Sequence, residues 1–266
     1  MQKRIISFSL LLLLLFSSKT YAYVGDKVDE DKIETWTQFG YPNLSEEKLI
    51  PGGDTVGNAA CGYFSLTSAA LKEGTVNENY KPRDLINAVR EKNLTNSWWG
   101  HIDFNRVEEL DIGLKLPEIR SYENASRSQY DWYFSGNWET KQETIRKMWK
   151  DGYYIILCLQ NYDTSGHYVF VDYVDENGRI RITDSAYRGT WLDEQYSGGF
   201  SYGILLESKN NRPSNLQYSV YGNFDENSTG FDKNITTKRG KIMRSSFGDW
   251  TFSEPKFEGE ISVDVN

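Results

Sequence analysis

Two short runs, His167 to Val174 and Arg179 to Asp184, carry the period-two pattern of a strand, and only Asp175-Glu176-Asn177-Gly178 separates them. Two such runs joined by a turn-forming tetrapeptide predict an antiparallel hairpin. Just upstream, Tyr153 to Leu159 is an unbroken apolar run with β-branched and aromatic members, which fits a strand buried on both faces. Phe200 to Glu207 reads as a further strand. Helical patterns precede these strands. One opens at Cys61 and closes at Gly74, and a second has Pro82 in its first turn ahead of Leu85, Ile86 and Val89. A third starts at the capping box Thr140-Lys141-Gln142-Glu143, shows Ile145, Met148 and Trp149 as its apolar stripe, and exits at Gly152. Helices first and antiparallel strands afterwards predict an α+β domain, with the helices gathered against one face of the sheet and a core over about residues 50–207.

The ends of the chain read differently. Lys3 and Arg4 lead an apolar stretch from Ile5 to Phe16, and Thr20-Tyr21-Ala22 offers small residues where a signal peptidase cleaves. Residues 1–22 therefore read as a secretory signal, too short in its apolar part for the roughly twenty residues that cross a bilayer. The mature chain is expected to be secreted or periplasmic and not membrane-spanning. Removing the signal takes away Lys3, Arg4 and Lys19 and no acid, which moves the formal charge from −8 to −11 and argues against nucleic acid as a partner. Residues 23–57 read as an extended, turn-rich arm belonging to a 23–207 domain. Residues 208–266, rich in Asn, Ser, Lys and Gly, read as a polar appendage, either small β or partly ordered.

Chemistry concentrates at Cys61. A cysteine that opens a helix meets unpaired backbone N–H groups and the positive end of the macrodipole, and both favour a thiolate. The chain holds two histidines, His101 and His167. His101 sits among aromatics in Trp98-Trp99-Gly100-His101, whereas His167 opens a strand with a carboxylate in range. Opposite residues in a hairpin share a face, so a four-residue turn at 175–178 sets Val169 against Asp184 and leaves His167 diagonal to Asp184. A two-residue turn at Asn177-Gly178 would move the pair apart, so the longer turn or a bulge is required. Cys158, inside the buried run, reads as a packing residue rather than a bridge partner. The cluster Tyr130-Asp131-Trp132-Tyr133-Phe134 reads as core and loop packing rather than a ligand platform. Two histidines and two distant cysteines have no metal-ligand spacing, and no cofactor is expected.

Asn58-Ala59-Ala60-Cys61-Gly62, Gly166-His167-Tyr168-Val169-Phe170-Val171 and Ile180-Arg181-Ile182-Thr183-Asp184-Ser185 resemble the motif segments of papain-like cysteine peptidases, and among them the bacterial C39-like peptidases. The resemblance covers about residues 50–207. It implies a papain-like α+β fold in which the helix carrying the cysteine packs on an antiparallel sheet. It also implies Cys61 as nucleophile, His167 as general base and acid, and Asp184 as the group that orients His167. Family members carry a glutamine a few residues before the cysteine, and residues 53–60 hold none. Asn58 is the nearest amide and takes the oxyanion role beside the Cys61 N–H, while Gln38 could reach the site only by folding back. The implied activity is hydrolysis of a peptide or isopeptide bond in a peptide or protein substrate. Peptidoglycan stem peptides and transglutaminase-like acyl transfer use the same three residues. The reading from a different class is a secreted binding domain on the same scaffold without catalysis.

Overall fold

The computed structural model describes residues 36–39, 43–96, 98–159, 166–186, 188–196, 199–215, 242–246 and 249–253. Residues 1–22, read from the sequence as a secretory signal, and most of the 208–266 segment, read as a polar appendage, lie outside the described residues. The protein is a mixture of helix and antiparallel sheet. Helices α1 (Val56–Ala59), α2 (Cys61–Glu73), α3 (Pro82–Glu91), α4 (Trp138–Lys150) and α5 (Leu192–Gln195) surround strands β1 (Leu114–Lys115), β2 (Ser121–Tyr122), β3 (Ala125–Ser128), β4 (Asp131–Phe134), β5 (Tyr154–Leu159), β6 (His167–Val174), β7 (Ile180–Asp184), β8 (Arg188–Trp191) and β9 (Phe200–Ser208). The sheet runs β2-β3-β4-β9-β5-β6-β7-β8, with β1 also on β9. Strands β10 (Ile242–Ser246) and β11 (Asp249–Ser253) pair with each other.

Alternation along β5 explains why both faces of this sheet are dry. Tyr154 and Ile156 join Phe64, Leu66, Ala70, Phe170 and Ile204 in one apolar cluster. Ile155, Leu157 and Leu159 join Ile145, Met148, Val169, Val171 and Ile182 in another. Helices α2 and α3 therefore cover one face and α4 the other, which corrects the expectation of helices on a single face. The physical reason is β5 itself, whose six residues are all buried and need apolar partners on both sides.

Helix α2 is buried along its whole length. Two of its hydroxyls bond back onto the helix: Thr67 donates to the Tyr63 carbonyl at 2.8 Å and Ser68 to the Phe64 carbonyl at 2.8 Å. Gly74 ends it at φ +78, with its N–H on the Ala70 carbonyl. Helix α4 starts earlier than its capping-box signal suggests, because the Asn137 side chain accepts the Thr140 N–H at 2.9 Å and its hydroxyl at 2.8 Å. The arm expected to be extended is folded into the core, with Trp36, Leu44 and Leu49 buried beside α2. Beyond residue 207 the chain still grips the domain, since the Tyr154 hydroxyl donates to the Arg212 carbonyl at 3.0 Å and the Ser214 N–H to the Gly152 carbonyl at 2.9 Å.

The hairpin solves its register in an unexpected way. Asp175 and Arg179 close a three-residue turn with Gly178 at φ +79, and Val174 then faces Ile180. Continued unchanged, that register would set Asp184 opposite Phe170, on the wrong face for His167. A bulge at Asp172 shifts the ladder by one residue, so Val171 faces Ile182 and Phe170 faces Thr183. One step further, Val169 comes beside Asp184, and Asp184 shares the face of His167.

Candidate active site

Asp184 ends β7 fully buried, with hydrogen-bond partners on both carboxylate oxygens. His167 Nε2 lies 2.7 Å from Oδ1, the Ala186 N–H donates to the same oxygen at 2.7 Å, and the Tyr196 hydroxyl donates to Oδ2 at 2.5 Å. With Nε2 engaged on the carboxylate, Nδ1 is the nitrogen left for the sulfur. The Tyr196 ring stacks at a tilt 6.5 Å from the imidazole and helps to fix its plane. Tyr196 carries no sequence signal that would have singled it out.

Cys61 comes to the same ring from the other side of the sheet. Helix α2 lies on the opposite face, and His167 is the first residue of β6, so sulfur and imidazole meet where the strand ends. Residues Val56–Ala59 form a separate short helix, and α2 takes its first bond back to the turn between them when the Phe64 N–H reaches the Ala60 carbonyl at 3.1 Å. The N–H groups of Cys61 and Gly62 thus stand ahead of the α2 ladder, and that of Gly62 points at the sulfur. The Tyr168 N–H points at it too.

The two charges sustain each other. Burial would push the Cys61 thiol up, but the hydrogen bond and positive charge of His167, helped by the Tyr168 and Gly62 N–H groups, bring it below the ordinary thiol value. Burial would lower His167, yet the Asp184 carboxylate and the Cys61 sulfur raise it to about 10. Both directions favour the same arrangement, a thiolate beside an imidazolium. Cys158 is the contrast: burial pushes it up to about 12, and neither cysteine is bridged.

Asn58 is exposed on α1, three residues before Cys61, and its N–H turns back to the Thr55 hydroxyl at 3.3 Å. Gln38 has folded back. Its buried amide donates to the Gly57 carbonyl at 2.7 Å and accepts the Ser185 hydroxyl at 2.6 Å, while its N–H donates to the Ser185 carbonyl at 2.9 Å. It thereby ties the segment before Cys61 to the residue after Asp184. His101 is exposed, away from this line of groups in sequence and on a loop whose carbonyl accepts the Asn96 N–H. Among the described residues no set of three or more His, Cys, Asp or Glu side chains could hold a metal. A surface cavity of about 310 Å³, lined by Lys115, Gly152 and Arg212, lies at the opposite ends of β5 and β9 and takes no part here.

Compared with known protein families, with curated proteins and with solved structures, the chain matches none. The chemistry is therefore read from the geometry alone. Among the described residues no helix is long and apolar enough to cross a membrane.

The seat of His167 is tight. A Cβ added to Gly166 would stand 2.3 Å from Cys158 Sγ. Gly166→Ala is expected to displace His167 and slow alkylation of Cys61 about tenfold or more. Cys158→Ala in the same chain is expected to restore much of the rate, as read by mass spectrometry of the labelled protein.

Proposed function

We propose that this chain is a cysteine peptidase of papain-like type, cleaving a peptide or isopeptide bond through Cys61, His167 and Asp184. The observation that carries the reading is the unbroken line of contact from sulfur to imidazole to a buried carboxylate, with the thiol lowered and the imidazole raised. A cysteine kept only for packing needs no such line, as Cys158 illustrates.

In the proposed reaction the Cys61 thiolate attacks the carbonyl carbon, a C–S bond forms, and the carbonyl π pair moves onto oxygen. In this reading the N–H of Cys61, ahead of the α2 ladder, faces that oxyanion, and Asn58 supplies the second donor. His167 then gives its Nδ1 proton to the leaving nitrogen as the C–N bond breaks, which leaves a thioester. The neutral ring takes a proton from water, the resulting hydroxide displaces the sulfur, and the pair returns to thiolate and imidazolium. Asp184 holds the ring plane and its charge throughout.

The test is cleavage of an unbiased peptide library, with peptidoglycan fragments included, by the wild-type chain and by Cys61→Ala. Cleavage that falls on the order of 10⁴-fold or more in the variant supports the reading. Cleavage that persists in Cys61→Ala overturns it.

A further inference from the structure

A band of tyrosines crosses the sheet and ends beside Gly62, the residue after Cys61. On the face that α2 covers, Tyr133 of β4 faces Tyr202 of β9, Tyr202 faces Cys158 of β5, and Cys158 faces Tyr168 of β6. The rings follow this order, with centroids 6.0 Å apart for Tyr133 and Tyr202 and 6.5 Å for Tyr202 and Tyr168. At its inner end, Tyr168 Cδ2 lies 3.7 Å from where a Cβ would stand on Gly62, the residue after Cys61. At its outer end Tyr133 is 50 % exposed, so the band opens to solvent.

Asp131 lies beside this band. It shares its face with Tyr133 two residues on, and it pairs with Ile204, which sets it diagonal to Tyr202. The next ring along the chain, Tyr130, packs against Phe104 at 5.9 Å. Among the described residues nothing donates to Asp131 Oδ1, although that oxygen is buried. Burial pushes this carboxyl above the ordinary carboxylate range. Burial is also the main reason that Tyr130, Tyr168, Tyr202 and Cys158 are raised, and the Asp131 charge adds a smaller push to each, which places the carboxylate within electrostatic reach of all four. A buried carboxylate oxygen without a donor is costly, and π faces around it favour a cation.

We propose that Asp131 and the tyrosines around it form a subsite for an ammonium or guanidinium group, carried by a lysine or arginine of the substrate. This rests on the thiol-hydrolase reading for its place in a reaction, though not for the binding itself. Three strand spacings separate β4 from β6, about 14 Å, which an extended chain covers in about four residues. A long cationic side chain shortens that reach, so the subsite serves a residue within about three positions of the bond that Cys61 attacks. The aromatic cluster read from the sequence as packing thus divides. Trp132 and Phe134 pack under α4, whereas Asp131 and Tyr133 lie on the opposite face of β4, where Tyr130 packs against the α2-side cluster.

Two measurements test this. The first is titration of Nα-acetyl-lysine methylamide and its norleucine counterpart against the wild-type chain, Cys61→Ala and Asp131→Asn by NMR. The lysine probe is expected to bind wild type and Cys61→Ala about tenfold more tightly than the norleucine probe, and this difference is expected to vanish in Asp131→Asn. Equal affinity of the two probes for wild type, including no binding of either, overturns the proposal without any appeal to the variant. The second is the position of lysine and arginine around the bonds cut in the peptide library. Enrichment within three residues supports the subsite, and cleavage without such enrichment overturns it while leaving the thiol chemistry intact. Lysine-selective binding to a chain whose Cys61 proves unreactive would uphold the subsite and remove the thiol chemistry.

Discussion

His167→Ala is expected to slow the alkylation of Cys61 by iodoacetamide at about pH 6 by on the order of 10²-fold or more. The sign follows from what remains once the ring is gone. Cys61 is 8 % exposed, and burial raises a thiol. With His167 present, the opposing charge and hydrogen bond reverse that effect, so the thiolate persists on the acid side of the ordinary thiol range. Without it, two backbone N–H groups are the remaining support, and the thiolate fraction at about pH 6 drops below the roughly 0.3 % of an ordinary cysteine. The rate is then expected to climb with pH in the variant, while the wild-type rate stays level up to about 10, where His167 gives up its proton. Asp184→Asn keeps an acceptor for the ring but removes the charge that raises it, and its profile is expected to fall between the two. Cys158, fully buried and pushed up to about 12, serves as the unlabelled control within the same molecule. A His167→Ala profile that overlays the wild type would mean that the imidazole does not activate the sulfur.

Asp172→Ala is expected to cost about 3–5 kcal/mol of stability, the range for removing one partner of a buried ion pair. Lys72, in the last turn of α2, is fully buried, and its ammonium donates to the Asp172 backbone carbonyl and stands 3.5 Å from Oδ1. Asp172 is the bulge residue that shifts the β6–β7 register. The helix that carries Cys61 therefore also pins the irregularity that puts Asp184 on the face of His167. A chain of this size loses about 2–4 °C of melting temperature per kcal/mol, so the variant is expected to melt roughly 10 °C lower in a calorimeter. Slower Cys61 alkylation in the fraction that remains folded is the second expected sign, because a relaxed bulge lets the ladder slip toward the register in which His167 and Asp184 face apart. A change within about 0.5 kcal/mol would contradict the role given to this pair.

Much of this fold is legible in the sequence. The hairpin, β5 and the Cys61 helix were marked by period, turn residues and Gly74, because local sequence governs those elements. The juxtaposition of His167 and Asp184 followed from strand parity together with the requirement for a longer turn or a bulge. The location of the bulge at Asp172 is not legible in the sequence, because the side chain that meets Asp172 is Lys72, a hundred residues away in the chain. Gln38 and Tyr196 were equally hidden: one closes onto Ser185 across 147 residues, and the other reaches Asp184 from a short helix with no pattern of its own. The double-sided covering of the sheet was implicit in β5, whose all-apolar sequence demands partners on both faces, although the order of elements suggested one. The strands β1 to β4 are two to four residues long, too short for any periodicity to declare them.

The central claim is that Cys61 exists as a thiolate held by His167. The most direct measurement is the ultraviolet absorbance of thiolate in the wild-type chain minus that of Cys61→Ser, followed across pH. A thiolate signal already present at about pH 6, level through neutrality and abolished there by His167→Ala, is the predicted result. A signal that rises only at or above the ordinary thiol value of about 8.5 in the wild type would contradict it.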